Sequence, residues 1–211
     1  MSAGQTGDLS LMAEFFRYPS SEQRHRLEEK SRRLKDPKLR EATDRFLQRI
    51  DELTTGDWEE LYTGSFDLEP SASPYLGWQA WGDEYRRGQL LALLAPQLDA
   101  AEVDRDGELP DHLVPVLQYL DRAASPSETL LEIAPSAVRK MVQALRKRQT
   151  DNPYAPLLEA VAETLSEARQ GEARQHETGP SKNEAHSTRS PEGGSGAPGN
   201  ESQMPGSSGS R

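Results

Sequence analysis

Residues 73–94 read SPYLGWQAWGDEYRRGQLLALL and bring together two of the chain's three tryptophans and two of its six tyrosines. On a helix at about 100° per residue they sort into two faces. Trp78, Trp81, Tyr85 and Ala92 fall on one side, with Gly88 among them. Leu76, Leu90 and Leu94 fall on roughly the opposite side, together with Asp83 and Arg87. A helix that is apolar on two faces belongs in the middle of a bundle. Asp83 and Arg87 are spaced to pair along it. Gly77, Gly82 and Gly88 each weaken a helix by roughly 1 kcal/mol relative to alanine, so their recurrence predicts close approach of another backbone.

The chain on either side of this stretch is helical in period as well. Asp8 is placed to cap a first helix with Leu9, Met12, Phe15 and Phe16 on one face, stopped near Tyr18-Pro19. A highly charged second helix opens at Ser20 or Ser21 and runs to Leu34. Asp36-Pro37 is a cap followed by proline at the first helical position, and Leu39, Phe46, Leu47, Ile50 and Leu53 follow as a stripe. Asp57 starts a short helix carrying Trp58, Leu61 and Tyr62. Pro96 is expected to bend or end the helix of the opening stretch. In LPDHLVPVLQYL, Pro110 is expected at the first helical position and Asp111 in the first turn, where the dipole favours a carboxylate. The segment 125–149 gives one or two helices, depending on Pro135, and a last helix turns Leu157, Leu158, Val161 and Leu165 inward. No convincing alternating strand is visible. The expected fold is all-α, a single bundle of about seven to nine helices.

From Gly171 onward the sequence contains no Leu, Ile, Val, Phe, Tyr or Trp. Such a segment cannot bury enough surface to offset its ordering entropy, so a helical domain over residues 1–170 and a disordered polar tail over 171–211 are expected. The net charge of −10 argues against binding to a phosphate backbone. The chain has no cysteine, which excludes disulfides, thiolate metal sites and cysteine nucleophiles. No secretory leader is visible and no stretch approaches the ~20 apolar residues of a membrane span, so a cytoplasmic protein is expected.

Motifs for chemistry are absent. No P-loop, dinucleotide fingerprint or nucleophile elbow occurs. EVDRDG, residues 102–107, opens like an EF-hand loop, but the twelfth position is Leu113 instead of a glutamate, so it reads as a solvated acidic loop. His25 and His112 lie in no metal-ligand spacing. No enzyme activity, metal or cofactor is expected. The aromatic stretch reads either as core or as a groove for a helical peptide, which needs large aromatic and leucine side chains beside small ones.

Three features in order resemble the nitrate reductase delta-subunit chaperones, the NarJ branch of the TorD-like redox-enzyme maturation proteins. An aromatic-Thr-x-x-Phe-Asp segment stands at Tyr62, Thr63, Phe66 and Asp67. A Tyr-Leu segment runs into Gly-Asp and Arg-Gly at Tyr75, Leu76, Gly82, Asp83, Arg87 and Gly88. Leu-Pro-Asp-His-Leu stands at 109–113 before an apolar helix. The resemblance spans roughly residues 8–168. It implies an all-α, non-catalytic, cytoplasmic chaperone that binds the apo catalytic subunit of a molybdenum oxidoreductase, commonly through its N-terminal segment, and holds it competent for insertion of the molybdopterin guanine dinucleotide cofactor. Cofactor-delivery proteins are possible further partners; nucleic acid and membrane insertion are not expected.

The expected client is a respiratory nitrate reductase. Ser-Pro-Tyr-Leu-Gly-Trp departs from the usual Leu-Tyr-Leu-Thr-Tyr type and leaves open a selenate, dimethylsulfide or ethylbenzene-type enzyme. A generic helical interaction module is the other alternative. The expected client groove draws on Tyr62, Phe66, Tyr75, Trp78, Trp81, Leu113 and Leu117 for apolar contact. Asp83, Glu84 and Asp111 are expected to meet basic residues of the peptide, with Arg87 and His112 beside them.

Overall fold

The computed structural model describes residues 7–68 and 70–177. It contains nine α-helices among them: α1 (Asp8–Ala13), α2 (Gln23–Arg33), α3 (Pro37–Asp51), α4 (Thr55–Phe66), α5 (Leu76–Trp81), α6 (Tyr85–Ala100), α7 (Leu113–Arg122), α8 (Glu128–Arg148) and α9 (Tyr154–Glu177). The all-α expectation is met, and the only β-type pairing among the described residues is an isolated antiparallel bridge between Tyr75 and His112. Helix α9 continues to Glu177, past the boundary expected at Gly171. From residue 178 the expected tail lies outside the described residues.

Local chemistry explains most helix starts. Asp36 accepts from Lys38 N at 2.8 Å with Pro37 in the first turn, as its spacing predicts. Thr54 and Asp57 form a reciprocal capping box, so α4 begins ahead of Asp57. Asp8 serves differently from expectation. It is the first residue of α1, and its carboxylate accepts from the backbone N–H of Lys35 and Asp36 at 2.8–3.2 Å. It therefore ties α1 to the α2–α3 connection.

The core is built on the long C-terminal pair. Arg146 meets Glu159 at 2.6 Å and Arg139 meets Ser166 at 2.6 Å, a register that makes α8 and α9 antiparallel. Pro135 lies inside α8 and does not divide it. Pro96 likewise lies inside α6, which runs through it to Ala100. Proline removes one N–H and crowds one carbonyl, and α6 tolerates this where Pro96 faces solvent. Helix α3 packs along α9, and α1 packs on α7. Between them Phe46, Trp58, Tyr62, Phe66 and Tyr154 form a continuous cluster with ring centroids 4.9–6.3 Å apart.

The opening stretch is two helices, not one. Helix α5 ends at Trp81, and Gly82 takes φ +64°, a conformation that disfavours any side chain. Asp83 and Glu84 form the bend before α6. The two-faced helix expected over 75–94 is thus broken by its own middle glycine. The tryptophans of α5 and Tyr85 of α6 do not share a helical face, and Tyr85 is 82% exposed.

Candidate functional site

Breaking the helix rearranges the expected charge pair. Arg87 does not pair with Asp83. Its Nε donates to Asp111 Oδ2 at 2.9 Å and its Nη2 to Asp111 Oδ1 at 3.4 Å, a two-pronged pair across α6 and the segment before α7. Asp111 is fully buried, and the Arg87 side chain is 15% exposed. Asp111 also does not sit in the first turn of its helix. Helix α7 starts at Leu113, with His112 as its cap, so neither Pro110 nor Asp111 is helical there. Pro115 then falls within the first turn, where its missing N–H costs nothing.

Gly77 is what lets this pair form. A Cβ at Gly77 would stand 2.8 Å from Asp111 Oδ2, 3.1 Å from Arg87 Cγ and 3.2 Å from Leu90 Cδ2. The close approach expected of the glycines is therefore made by a buried ion pair against α5. Gly88 meets nothing within 4 Å and plays no such part.

Arg87 lies over two rings at once, 5.6 Å from the centroids of Tyr75 and Trp78. Such stacking suits a planar, weakly hydrated guanidinium. Trp78 Nε1 donates to Pro70 O at 3.1 Å, and Gln79 Nε2 donates to Ser71 O and Ser73 O, which pins the preceding turn to α5. Tyr75 donates to Glu108 Oε2 at 2.6 Å and stands edge-on to His112 at 5.2 Å. Burial, and then the hydrogen bond to Glu108, push the Tyr75 phenol pKa up. The bridge at this point is closed by Leu76 N to Asp111 O and Leu113 N to Pro74 O, both 2.8 Å.

His112 caps α7 with its side chain: Nδ1 accepts from Val114 N at 3.2 Å. That bond requires Nδ1 without a proton, so the neutral ring carries its hydrogen on Nε2. Burial lowers the imidazole pKa below its ordinary value, against the opposing charges of Glu108 and Asp111. His112 lines a pocket of about 220 Å³ with Tyr62, Asp67, Glu108, Arg17 and Tyr18. Asp67, on the far end of α4, has its carboxyl pKa raised by burial and next by the charge of Glu108.

The residues expected to form the groove divide in two. Tyr75, Trp78, Arg87, Asp111 and His112 make one connected cluster, and Tyr62 joins it through the pocket. Trp81 is half-buried on the same short helix, and Asp83 and Glu84 are exposed at its end. Phe66, Leu113 and Leu117 are core residues with almost no surface to offer in this conformation. Tyr62 is itself largely spent in the core, its hydroxyl donating to Phe16 O at 3.1 Å. Asp67, Glu108 and Tyr18 were not selected from the sequence. Asp67 stands in the Tyr-Thr-x-x-Phe-Asp segment and was legible there. Glu108 and Tyr18 carry no local signal, because only the tertiary fold brings them to His112.

A wider cleft of about 660 Å³ lies between α4 and the C-terminal end of α8, lined by Tyr18, Leu61, Leu68, Leu145 and a set of acidic residues. It contains none of the groove residues named from the sequence. Among the described residues no group of three or more His, Asp or Glu side chains is arranged to hold a metal ion, and no helix is long and apolar enough to cross a membrane.

No curated protein matches the chain. The profile of the family described as nitrate reductase delta subunit matches residues 32–174, which takes in α3 through most of α9 and every residue of the Tyr75–Arg87–Asp111–His112 cluster. On that match over more than half its length, the chain belongs to the nitrate reductase delta subunit family.

Proposed function

We propose that this chain is a cytoplasmic, non-catalytic chaperone that binds the N-terminal segment of an apo molybdenum-enzyme catalytic subunit, that of a respiratory nitrate reductase, and keeps it competent for insertion of the molybdopterin cofactor. Family membership supports the coarser part, a chaperone role in nitrate reductase maturation. The observation that carries the finer part is the half-buried aromatic platform on α5 and its flanks. Tyr75, Trp78 and Trp81 present ring surface beside the Arg87–Asp111 pair. Rings that only served the core would be enclosed, as Trp58 and Tyr154 are.

An amphipathic peptide helix would lay its apolar face across Tyr75, Trp78 and Trp81, with Asp83 and Glu84 at one edge for its basic residues. Tyr62 and His112 would meet it at the pocket end. No chemistry is required of the chaperone, since selective binding of the immature client shifts its population. Calorimetric titration of the full chain with the N-terminal peptide of the nitrate reductase catalytic subunit tests this. Micromolar binding with a negative ΔCp, weakened at least about tenfold in a folded Trp81→Ala variant, is expected. No binding by the wild-type chain would remove the peptide mechanism.

A further inference from the structure

A smaller pocket, of about 180 Å³, lies along α2. Gln23, Arg26, Leu27 and Lys30 recur at i, i+3, i+4 and i+7, so a single face of that helix supplies one wall. Glu14 and Arg17 close the pocket from the segment after α1, and Asp106 reaches it from a loop far along the chain. All of its lining residues except Asp106 precede residue 32, where the family match begins, so family membership assigns them no role.

Two of its features are unmatched within the chain. The first is a buried acceptor. Gln23 is 6% exposed, and its Nε2 donates to Glu14 O at 3.0 Å. A carbonyl only accepts, so this bond fixes which way the amide points. The other end, Oε1, is buried and has no hydrogen-bond partner among the described residues. Native chains leave few such atoms, because an unmade bond there costs the desolvation of the group. The second feature is charge. Arg17 engages both carboxylates, Glu14 at 3.3 Å and Asp106 at 3.2 Å. Lys30 forms no ion pair among the described residues. Arg26 has Glu22 at 3.9 Å with both side chains exposed, a pairing too loose to hold it. The pocket therefore carries two available cations and, in the same wall, one unspent acceptor.

A plain anion answers the cations and leaves the acceptor unmade, and an uncharged amide does the reverse. A carboxylate with an N–H beside it answers both, and that is the arrangement at the end of a peptide or in an N-acyl amino acid. We propose that this pocket binds such an α-amido carboxylate, its carboxylate against Arg26 and Lys30 and its N–H on Gln23 Oε1. Phosphate suits the pocket less well. A dianion adds charge beside Glu14 and Asp106, whereas a carboxylate adds only what Arg26 and Lys30 offset. At about 180 Å³ the space takes a single residue, below the ~300 Å³ at which sites for whole small molecules begin. The site shares no residue with the aromatic platform on α5, so it stands or falls independently of peptide binding there.

The test titrates the full chain with N-acetyl-alanine while the side-chain amide of Gln23 is followed by NMR. Three controls accompany it. N-acetyl-alanine methylamide lacks the carboxylate, 2-acetoxypropionate has an ester oxygen where the N–H stood, and inorganic phosphate is a plain anion. Saturable movement of the Gln23 amide with N-acetyl-alanine is expected, at least about tenfold weaker with each control. Binding should also weaken about tenfold in Arg26→Gln/Lys30→Gln. It should stay unchanged in Arg32→Gln/Arg33→Gln, which removes the same charge from exposed positions elsewhere on α2. Equal response to 2-acetoxypropionate means that the acceptor is not read, and equal response to phosphate means that charge alone is read. Indifference to the Arg26 and Lys30 substitutions puts the anion elsewhere. Each of these overturns the proposal, and so does a Gln23 amide that no probe moves, the result if water alone meets Oε1. N-acetyl-Gly-Gly-Ala then separates the two sources of the ligand. Binding at least about tenfold tighter than that of N-acetyl-alanine supports the proposal with a peptide end as the ligand, and equal binding supports it with a free N-acyl amino acid.

Discussion

The chain has two aromatic clusters, and they are built for different ends. In the first, between α3, α4 and α9, Trp58 Nε1 donates to Tyr154 OH at 2.9 Å, and both residues are almost wholly enclosed among Phe46, Tyr62 and Phe66. Burial pushes the Tyr154 phenol pKa up, so it stays a neutral hydrogen-bonding group. In the second, around α5, Tyr75 and Trp78 are half-buried, with Arg87 against both rings, Glu108 on the Tyr75 hydroxyl and Pro70 O on Trp78 Nε1. Ring content does not separate a core from a surface that holds something. What separates them is whether the ring faces are enclosed, as those of Trp58 and Tyr154 are, or reach solvent in part, as those of Tyr75 and Trp78 do.

The largest effect expected of a single change lies in the enclosed cluster. Trp58→Ala removes a fully buried ring and orphans Tyr154 OH, and should cost about 3–5 kcal/mol of stability in chemical denaturation. Trp78→Ala, in the open cluster, should cost distinctly less. Equal losses would show that the two clusters are both simply core.

Next in size is the buried ion pair. Asp111→Ala leaves the Arg87 guanidinium without its carboxylate, and a loss of about 3 kcal/mol is expected, since breaking one side of a buried pair strands the other. A loss near that of an exposed pair, below about 1 kcal/mol, would mean that Arg87 swings out to solvent and that the platform is not rigid.

The two glycines that flank this pair sharpen the contrast further. Gly77→Ala places a methyl against Asp111 and should cost about 1–3 kcal/mol. Gly88→Ala, inside α6 with open space around it, should gain up to about 1 kcal/mol from helix propensity. Thermal unfolding of the two variants side by side checks both signs. If both changes stabilise, the close packing of α5 on the pair is wrong.

The glycines also show how far the sequence could be read. Helical period and the Asp36-Pro37 cap were legible because they act through neighbours in the chain. The ordered residues of the family resemblance fell inside the matched region for the same reason. What failed was continuity. A helical period that continues from 75 to 94 hides the break, because glycine at 82 could be read as a weak helical residue or as a positive-φ turn, and only the bend decides. Pairing failed with it. Arg87 has Asp83 four residues before it and Asp111 far along the chain, and local spacing favours the near partner. The fold chooses the far one because Gly82 swings Asp83 away and Gly77 opens room for Asp111. The prolines are settled by tertiary anchoring as well: Pro135 leaves α8 as one helix, the first of the two outcomes its position allows, and Pro96 does not end α6.

The smallest expected effect is a slope, and it separates the pocket from the platform. His112 holds the start of α7 through an unprotonated Nδ1, and burial lowers its pKa in the folded chain below the ordinary 6.5. The folded state therefore binds fewer protons than the unfolded chain just below pH 6.5, and unfolding free energy rises with pH through that window. Read downward, the contribution is full above pH 6.5 and is lost as the pH falls below it, because protonation takes the lone pair that Val114 N uses. Glu108 and Asp111 face the ring and oppose the shift, and Arg17 reinforces it. His112→Asn supplies a cap that does not titrate, so its stability should be flatter than wild type between pH 5 and about 7. The raised pKa of Asp67 contributes with the opposite sign, and lower, starting from the ordinary 3.8, so the difference between the two proteins isolates the histidine. Denaturation midpoints of both across that range are the measurement. Parallel curves would mean that His112 titrates alike in the folded and unfolded chain, so that neither burial nor the bond to Val114 N favours its neutral form. A flattened variant curve means that the neutral ring is favoured in the folded chain, as the bond from Val114 N to Nδ1 requires.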